Sequence, residues 1–257
     1  MALMDGLRLY SQRHGGVIRL GVQGQDPADE IRALGHEATD QRLRALLSEL
    51  TAVGTIQRPA RGIYLVPDAF GRVSRWAVAS ELGGGSAHLS LWSAADFHGL
   101  TTSQVGWLSV VTDQPQVTVN LGPLGTAVFH RTDKRRVFGA IEVADGAVYA
   151  RVARIERLLI DLLWFAEASD APSSTETYAI WQAAVSRGLN GALLAEYTRR
   201  MGSNRLSRRV GYLMDHFQVA GSQPLLAQLG SEQELIQAIP GRGSVTLQPS
   251  PKWRVKG

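Results

Sequence analysis

Residues 39–66 read TDQRLRALLSELTAVGTIQRPARGIYLV, and two periodicities meet inside them. Up to Gly54 the residues Leu43, Leu46, Leu47 and Leu50 recur at i, i+3, i+4 and i+7, the spacing of one helix face. Thr39 stands where an N-cap oxygen is wanted, and Gly54 where glycine best takes the left-handed conformation that ends a helix. Beyond Gly54 come two β-favouring runs, 55–58 and 62–66, joined by Pro59, Ala60 and Arg61, which read as a turn. The stretch therefore predicts a helix followed by a short hairpin. At about 100° per residue the leucine stripe leaves Gln41, Ala45, Ser48 and Ala52 facing outward, flanked by Arg42 and Arg44.

Just upstream, residues 27–34 read as a shorter helix, with Asp26 as its cap, Pro27 at the first helical position and Gly35 at its end. Two short helices in close succession, then a hairpin whose loop carries arginine, give the order of a winged helix-turn-helix. On that expectation the helix after Thr39 fits the major groove of double-stranded DNA. Gln41, Arg42 and Arg44 then reach base edges or phosphates, and Arg58 and Arg61 meet the adjacent backbone or minor groove. The same residues also fit a helical packing subdomain with solvated arginines, and Glu37 and Asp40 beside the helix oppose phosphate binding.

The remainder, residues 67–257, reads as a larger mixed domain. Segment 86–101, SAHLSLWSAADFHGLT, follows three glycines and reads as a helix ended by Gly99, with His98 in its last turn as a partner for free carbonyls. Strand candidates lie at 107–112, 116–120, 126–131, 137–143 and 147–153, with Asp145 and Gly146 as a hairpin turn. Residues 154–165 are apolar on most sides, as in a core helix. Ser173 and Glu176 make a capping box for a helix ending at Gly188, and Asn190 starts another that ends at Gly202. Over 204–217, Leu206, Val210, Met214 and Phe217 line one side while Arg205, Arg208 and Arg209 project from another. Residues 231–234 read as a second capping box, and 244–248 as a short strand in a Gly/Pro-rich, basic tail. The expected architecture is α+β: a winged helix-turn-helix over 1–66, then a mixed α/β domain over 67–257, strands first and helices last.

Composition narrows the function classes. With 44 % hydrophobic and 19 % charged residues among 257, the chain is a folded rather than a disordered one. Its longest apolar run, 162–166, is far short of the ~20 residues a membrane span needs, and no signal-type segment opens the sequence, so the expected compartment is the cytoplasm, with no membrane partner. Cysteine is absent, which removes disulfides and thiolate sites. Only Lys134, Lys252 and Lys256 among the 27 basic residues are lysines. An arginine excess follows either from coding composition or from a need to grip phosphate or carboxylate with a fixed fork of donors. Between 199 and 209, RRMGSNRLSRR holds Arg199, Arg200, Arg205, Arg208 and Arg209 with no acid: a second basic patch for phosphate or an acidic partner, or simply a solvated face. Walker, dinucleotide, HExxH, nucleophile-elbow and EF-hand patterns are missing and the six histidines are scattered, so neither an enzyme, a metal site nor a cofactor is expected.

Three segments in order resemble the AbiEi family of antitoxins, the regulator half of type IV toxin-antitoxin systems. The first is ARGIYLVPDAF (60–70) behind the RLRALLSEL helix; the second is HLSLWSAADFHGLTT (88–102) followed by WLSVVT. The third comprises RVFGAIEV, VYARVARIERLLIDLL and LAEYTRRMGSNRLSRRVGYLMDHF, with its Arg-Arg-x-Gly-Tyr-Leu ending. The glycine-containing segment 15–35 ahead of the second helix departs from the family pattern. The resemblance implies a repressor of its own operon that also counteracts a nucleotidyltransferase toxin without needing a stable complex with it, and inverted-repeat operator DNA would suit two copies of such a repressor. On that reading Thr39, Gln41, Arg42, Arg44 and Ser48 are helix contacts and Arg58 and Arg61 wing contacts, with no catalytic residue. A ligand-responsive winged-helix regulator without a toxin partner is the alternative.

Overall fold

Asp26 and Thr39 each accept a hydrogen bond from the first turn of the helix that follows them, at Ala28 N (2.9 Å) and Arg42 N (3.3 Å). These caps fix two helices in the computed structural model, which describes residues 2–21, 26–67, 72–116, 118–146, 148–227, 229 and 234–256. The N-terminal order is α1 (Ala2–Arg13), β1 (Val17–Arg19), α2 (Pro27–Ala33), α3 (Asp40–Ala52), β2 (Gln57–Ala60) and β3 (Ile63–Leu65). The strands form one antiparallel sheet in the order β1-β3-β2. This is a winged helix-turn-helix, with α2 and α3 as the helix pair and β2–β3 as the wing. Its core joins Leu43 and Leu47 of α3 to Leu7 and Tyr10 of α1, Ile18 of β1, and Ala28 and Ile31 of α2.

Two parts of this module differ from expectation. Helix α1 and strand β1 are not among the expected elements, and Gly6 gives one reason for α1: a methyl there would overlap Ile31 and His36, so a residue of low helix propensity is needed for the close approach of α1 and α2. The wing turn is also tighter than the sequence suggested. Pro59 and Ala60 belong to β2, and the turn is Arg61 and Gly62, with Gly62 at φ +76°. Proline is tolerated because β2 is an edge strand and its register shifts between Gln57 and Ala60.

The chain divides into two compact units, 1–89 with 106–129 and 142–151, and 90–105 with 130–141 and 152–257. The division does not fall at residue 66. Helix α4 (Arg75–Leu82) belongs with the N-terminal module, tied to it by the His14–Glu81 pair and by Arg19, whose Nη1 donates to Leu82 O (3.2 Å). Most of a six-stranded sheet lies in the same unit, with β4 (His88–Leu89), β5 (Trp107–Thr112), β6 (Val119–Asn120), β7 (Thr126–Arg131), β8 (Ala140–Asp145) and β9 (Val148–Ala153) in the order β6-β7-β5-β4-β9-β8. Strands β7, β8 and β9 each continue into the other unit. The helix expected over 86–101 is shorter than that: His88 and Leu89 pair antiparallel with β5, and α5 spans only Leu91–Phe97. Likewise β8 starts at Ala140, because Gly139 turns the chain at φ +78°. Residues 117 and 147 of the expected strands lie outside the described residues.

In the second unit α6 (Ile155–Trp164) is surrounded, with Leu158, Leu159, Ile160, Leu162 and Leu163 all buried. Around it are α5, α7 (Ser174–Ser186), α8 (Gly191–Met201) and α9 (Asn204–His216). The expected caps form: Ser173 and Glu176 make a capping box, Asn190 caps α8, and Gly202 ends it in the left-handed conformation. One feature of α6 was hidden by its apolar composition. Arg157 and Asp161, four residues apart and both fully buried, form an ion pair at 2.6 Å, and Ser90 Oγ donates to Asp161 Oδ2 (2.7 Å). Thus Ser90, at the N-cap position of α5, makes no side-chain cap bond there.

The tail is anchored differently from the expected strand at 244–248. Strand β10 (Ile236–Gln237) pairs in parallel with β11 (Val255–Lys256). Between them Trp253 is fully buried, its Nε1 donating to Asp215 Oδ2 (2.7 Å). Gly211 of α9 makes room for the indole, since a methyl there would overlap the Trp253 ring. Tyr212 donates its hydroxyl to Gln248 O (2.7 Å). Arg208 does not project: it is buried, with Nε donating to Trp253 O (2.9 Å) and Nη2 to the carbonyls of Glu234 and Arg254. The segment Arg208–Tyr212 is therefore a clamp on the tail. Of the second expected capping box, residues 231–233 lie outside the described residues. Among the described residues no helix is long and apolar enough to cross a membrane. Replacing Trp253 by Ala is expected to cost about 3–5 kcal/mol and Gly211 by Ala about 1–3 kcal/mol, read from urea midpoints; an unchanged midpoint for Trp253→Ala removes the clamp from the stability of the second unit.

Candidate nucleic-acid interface

Burial of Leu43 and Leu47 turns the other side of α3 to solvent, and Gln41, Arg42, Arg44, Ala45, Ser48 and Ala52 are all exposed there. Thr39 is exposed too, with its Oγ1 accepting the Arg42 N–H and its hydroxyl hydrogen left for a further acceptor. Arg42 lies 3.5 Å from Glu37, an exposed pair worth little in water and readily exchanged for a phosphate. Among the described residues Arg44 and Arg61 have no carboxylate within ion-pair distance. Arg61 is exposed at the tip of the wing. Arg58 is exposed on β2, its guanidinium 5.3 Å from the centroid of Tyr64, a contact that lays the side chain along the wing. Four cations thus stand on the exposed helix face and wing of one module.

What braces that module is not legible in the sequence. His14, just past α1, has Nδ1 2.9 Å from Glu81 Oε1 on α4 and Nε2 2.9 Å from Glu30 Oε2 on α2, while its ring stacks on Tyr10 at 4.3 Å. Only the imidazolium can donate from both nitrogens at once. The hydrogen bond to Glu81, joined by that to Glu30, raises the His14 pKa against the opposing effect of burial. Burial, with Glu30 and Glu81 nearby, also pushes the Tyr10 phenol well up, so it stays a neutral donor. Glu30 and Glu81 lie 16 and 67 positions from His14, so only the fold brings the two carboxylates to it.

The second basic stretch separates into individual roles rather than one patch. Arg199 is exposed; the Arg200 guanidinium sits 3.9 Å from the Phe138 ring centroid; Arg205 lies 3.7 Å from Glu234; Arg208 is buried in the clamp. Arg209 is half-buried, and burial, reinforced by Arg205, lowers its pKa to about 10. His98 ends α5 as expected, but its Nε2 meets Ala153 O (2.7 Å) of β9 rather than a carbonyl of its own helix, whose end is instead held by Arg187 Nη2 at Gly99 O (2.7 Å). Among the described residues no three histidine or carboxylate side chains gather where they could hold a metal ion.

No protein-family model and no curated protein matches the chain. The site's geometry therefore carries the functional reading.

Because the folded His14 pKa lies above the ordinary value near 6.5, its contribution is fully present below about pH 6.5 and is lost as pH rises through the raised value. His14→Gln is expected to destabilise the chain by about 1–3 kcal/mol at pH 6, with the gap to wild type narrowing by pH 9. Denaturant titrations at the two pH values check this, and a gap that widens with pH contradicts it.

Proposed function

We propose that the chain is a DNA-binding transcriptional repressor acting on its own operon. The observation that carries this reading is the winged helix-turn-helix whose α3 exposes Gln41 and Ser48 between the flanking Arg42 and Arg44 on its solvent-facing half while Arg58 and Arg61 stand exposed on the wing. In such a module the wing and helix-end cations bind phosphate and fix register, while Gln and Arg on the helix face read base edges, with guanine the natural partner of Arg44. Two copies on an inverted repeat would read two half-sites about one helical turn apart. The three AbiEi-like segments add the second half of the proposal, an antitoxin that counteracts a nucleotidyltransferase toxin. Part of their third segment is the tail clamp, where Arg208 and Tyr212 hold the chain's own end.

A ligand-responsive regulator is favoured by one observation. Within the first unit a cavity of about 760 Å³ is lined by Leu7 and Ser11 of α1, Leu50 of α3, Thr55, Ile56 and Arg72. A ligand there would touch both the helix that faces DNA and the start of the wing.

Fluorescence anisotropy of the full chain on the DNA upstream of its own gene, against a scrambled duplex at two salt concentrations, tests the repressor. Preference of about 10³-fold or more, with affinity falling steeply in salt, is expected; equal binding to both duplexes overturns it. Arg44→Ala should weaken operator binding about 10- to 100-fold with the fold retained, and Arg61→Ala should weaken both duplexes alike. Growth rescue on co-expression with a neighbouring nucleotidyltransferase tests the antitoxin half, and continued toxicity removes it.

A further inference from the structure

A cavity of about 540 Å³ lies wholly within the second unit, between residues 163–168 at the end of α6, the first turns of α9, and Pro240. Its walls divide by chemistry. Phe165, Leu206 and Pro240 give it an apolar side, Arg205 and Arg209 a cationic one, and Glu167 an acceptor. A volume of this order is that of a small-molecule site, and a concave site is the wrong form for the convex backbone of a duplex.

The state of Arg209 points to what is taken there. Its Nε donates to Gln237 O (3.1 Å), and among the described residues its two terminal nitrogens have no hydrogen-bond acceptor and no carboxylate within 4 Å. A half-buried guanidinium whose terminal nitrogens meet no acceptor loses hydration that the attraction of Glu167, which stands beyond ion-pair distance, offsets only in part. Its neighbours add to the positive potential. Arg205, one turn earlier on α9, lines the same wall and has only the long, exposed contact with Glu234. Arg208, buried beside them, brings a third positive charge that is committed to backbone carbonyls and cannot turn toward the cavity. Burial and this like-charge crowding make the Arg209 proton easier to lose than in water. An anion entering the cavity relieves both.

We propose that this cavity binds a nucleoside monophosphate or a closely similar phosphomonoester, the phosphate on Arg209 and Arg205, the planar base against Phe165, Leu206 and Pro240, and a sugar hydroxyl donating to Glu167. The planar fork of arginine matches a phosphate with two parallel hydrogen bonds, which a carboxylate-free terminal pair on Arg209 is free to make. Glu167 accepts only, so it suits a hydroxyl and disfavours additional phosphates, which is why a monophosphate fits better than a triphosphate.

Isothermal titration of the full chain in phosphate-free buffer, with AMP, adenosine, ATP and inorganic phosphate as probes, tests the site. AMP is expected to bind at least tenfold more tightly than each of the others, and both Arg209→Gln and Arg205→Gln to weaken it, the first by tenfold or more. Arg205→Gln removes only an exposed contact from the fold, so it keeps the test decisive if Arg209→Gln does not fold. No heat with millimolar AMP, AMP binding unchanged in Arg205→Gln, or inorganic phosphate binding as well as AMP each overturns the proposal. So does displacement of AMP by a scrambled DNA duplex, which would assign the cations to nucleic-acid backbone instead. The titration reads nucleotide rather than operator, so its failure leaves the repressor reading standing, and loss of that reading leaves this one untouched.

Discussion

Leu43 and Leu47 are the only residues of α3 that are wholly removed from water, and the N-terminal module depends on them. Each contributes roughly 1.5–3 kcal/mol through burial. Their larger effect is geometric, because they set the rotation of the helix about its axis. A one-residue slip would swing every side chain by about 100°, carrying Gln41 off the centre of the outward face and a leucine out of the core. What they pack against comes from three other elements, Leu7 in α1, Ile18 in β1 and Ile31 in α2. The exposed face is therefore defined by a core to which most of the module contributes.

That dependence explains what could be read from the chain alone. Helices α2 and α3 carry all their signals locally: a capping side chain, an apolar stripe, a terminating glycine. The face presented by α3 was legible for the same reason, since it is the complement of the leucine stripe. Helix α1 was not, because Gly6 argues against a helix until its neighbour Ile31 is seen. The wing was legible as a hairpin but not in its turn, as Pro59 carries a turn signal whose meaning changes at a sheet edge. Segment 86–101 misled because Ser90 looks like a helix residue, while its hydroxyl is held by Asp161, 71 positions away. The tail clamp and the His14 brace are likewise made by residues distant in sequence, and no periodicity spans such distances.

Arginine shows most clearly that residue type does not determine role. Arg157 and Arg208 are buried, one opposite a carboxylate and one among carbonyls; Arg136 and Arg200 lie on the rings of Trp164 and Phe138. Arg44 and Arg61 are left to solvent. An excess of arginine over lysine suits all three settings, because the guanidinium stays charged in each and its plane stacks as well as it hydrogen-bonds. The small net charge of +4 conceals this sorting, and the density of arginines along the chain between 199 and 209 overstates the cationic surface they form.

The interleaving of the two compact units has a consequence for how the chain tolerates being cut. Five times the backbone passes from one unit to the other, near residues 89, 105, 129, 141 and 151. A protease that nicks any one of these passages yields two fragments, yet at least one unit then draws its parts from both. Each fragment is then an incomplete template for the other, and the contacts inside the shared unit are what oppose their separation after the peptide bond is gone. The same property makes the chain a natural candidate for reassembly from separately produced halves, and it means that genetic exchange of the N-terminal module would have to carry three separated segments to move the whole first unit.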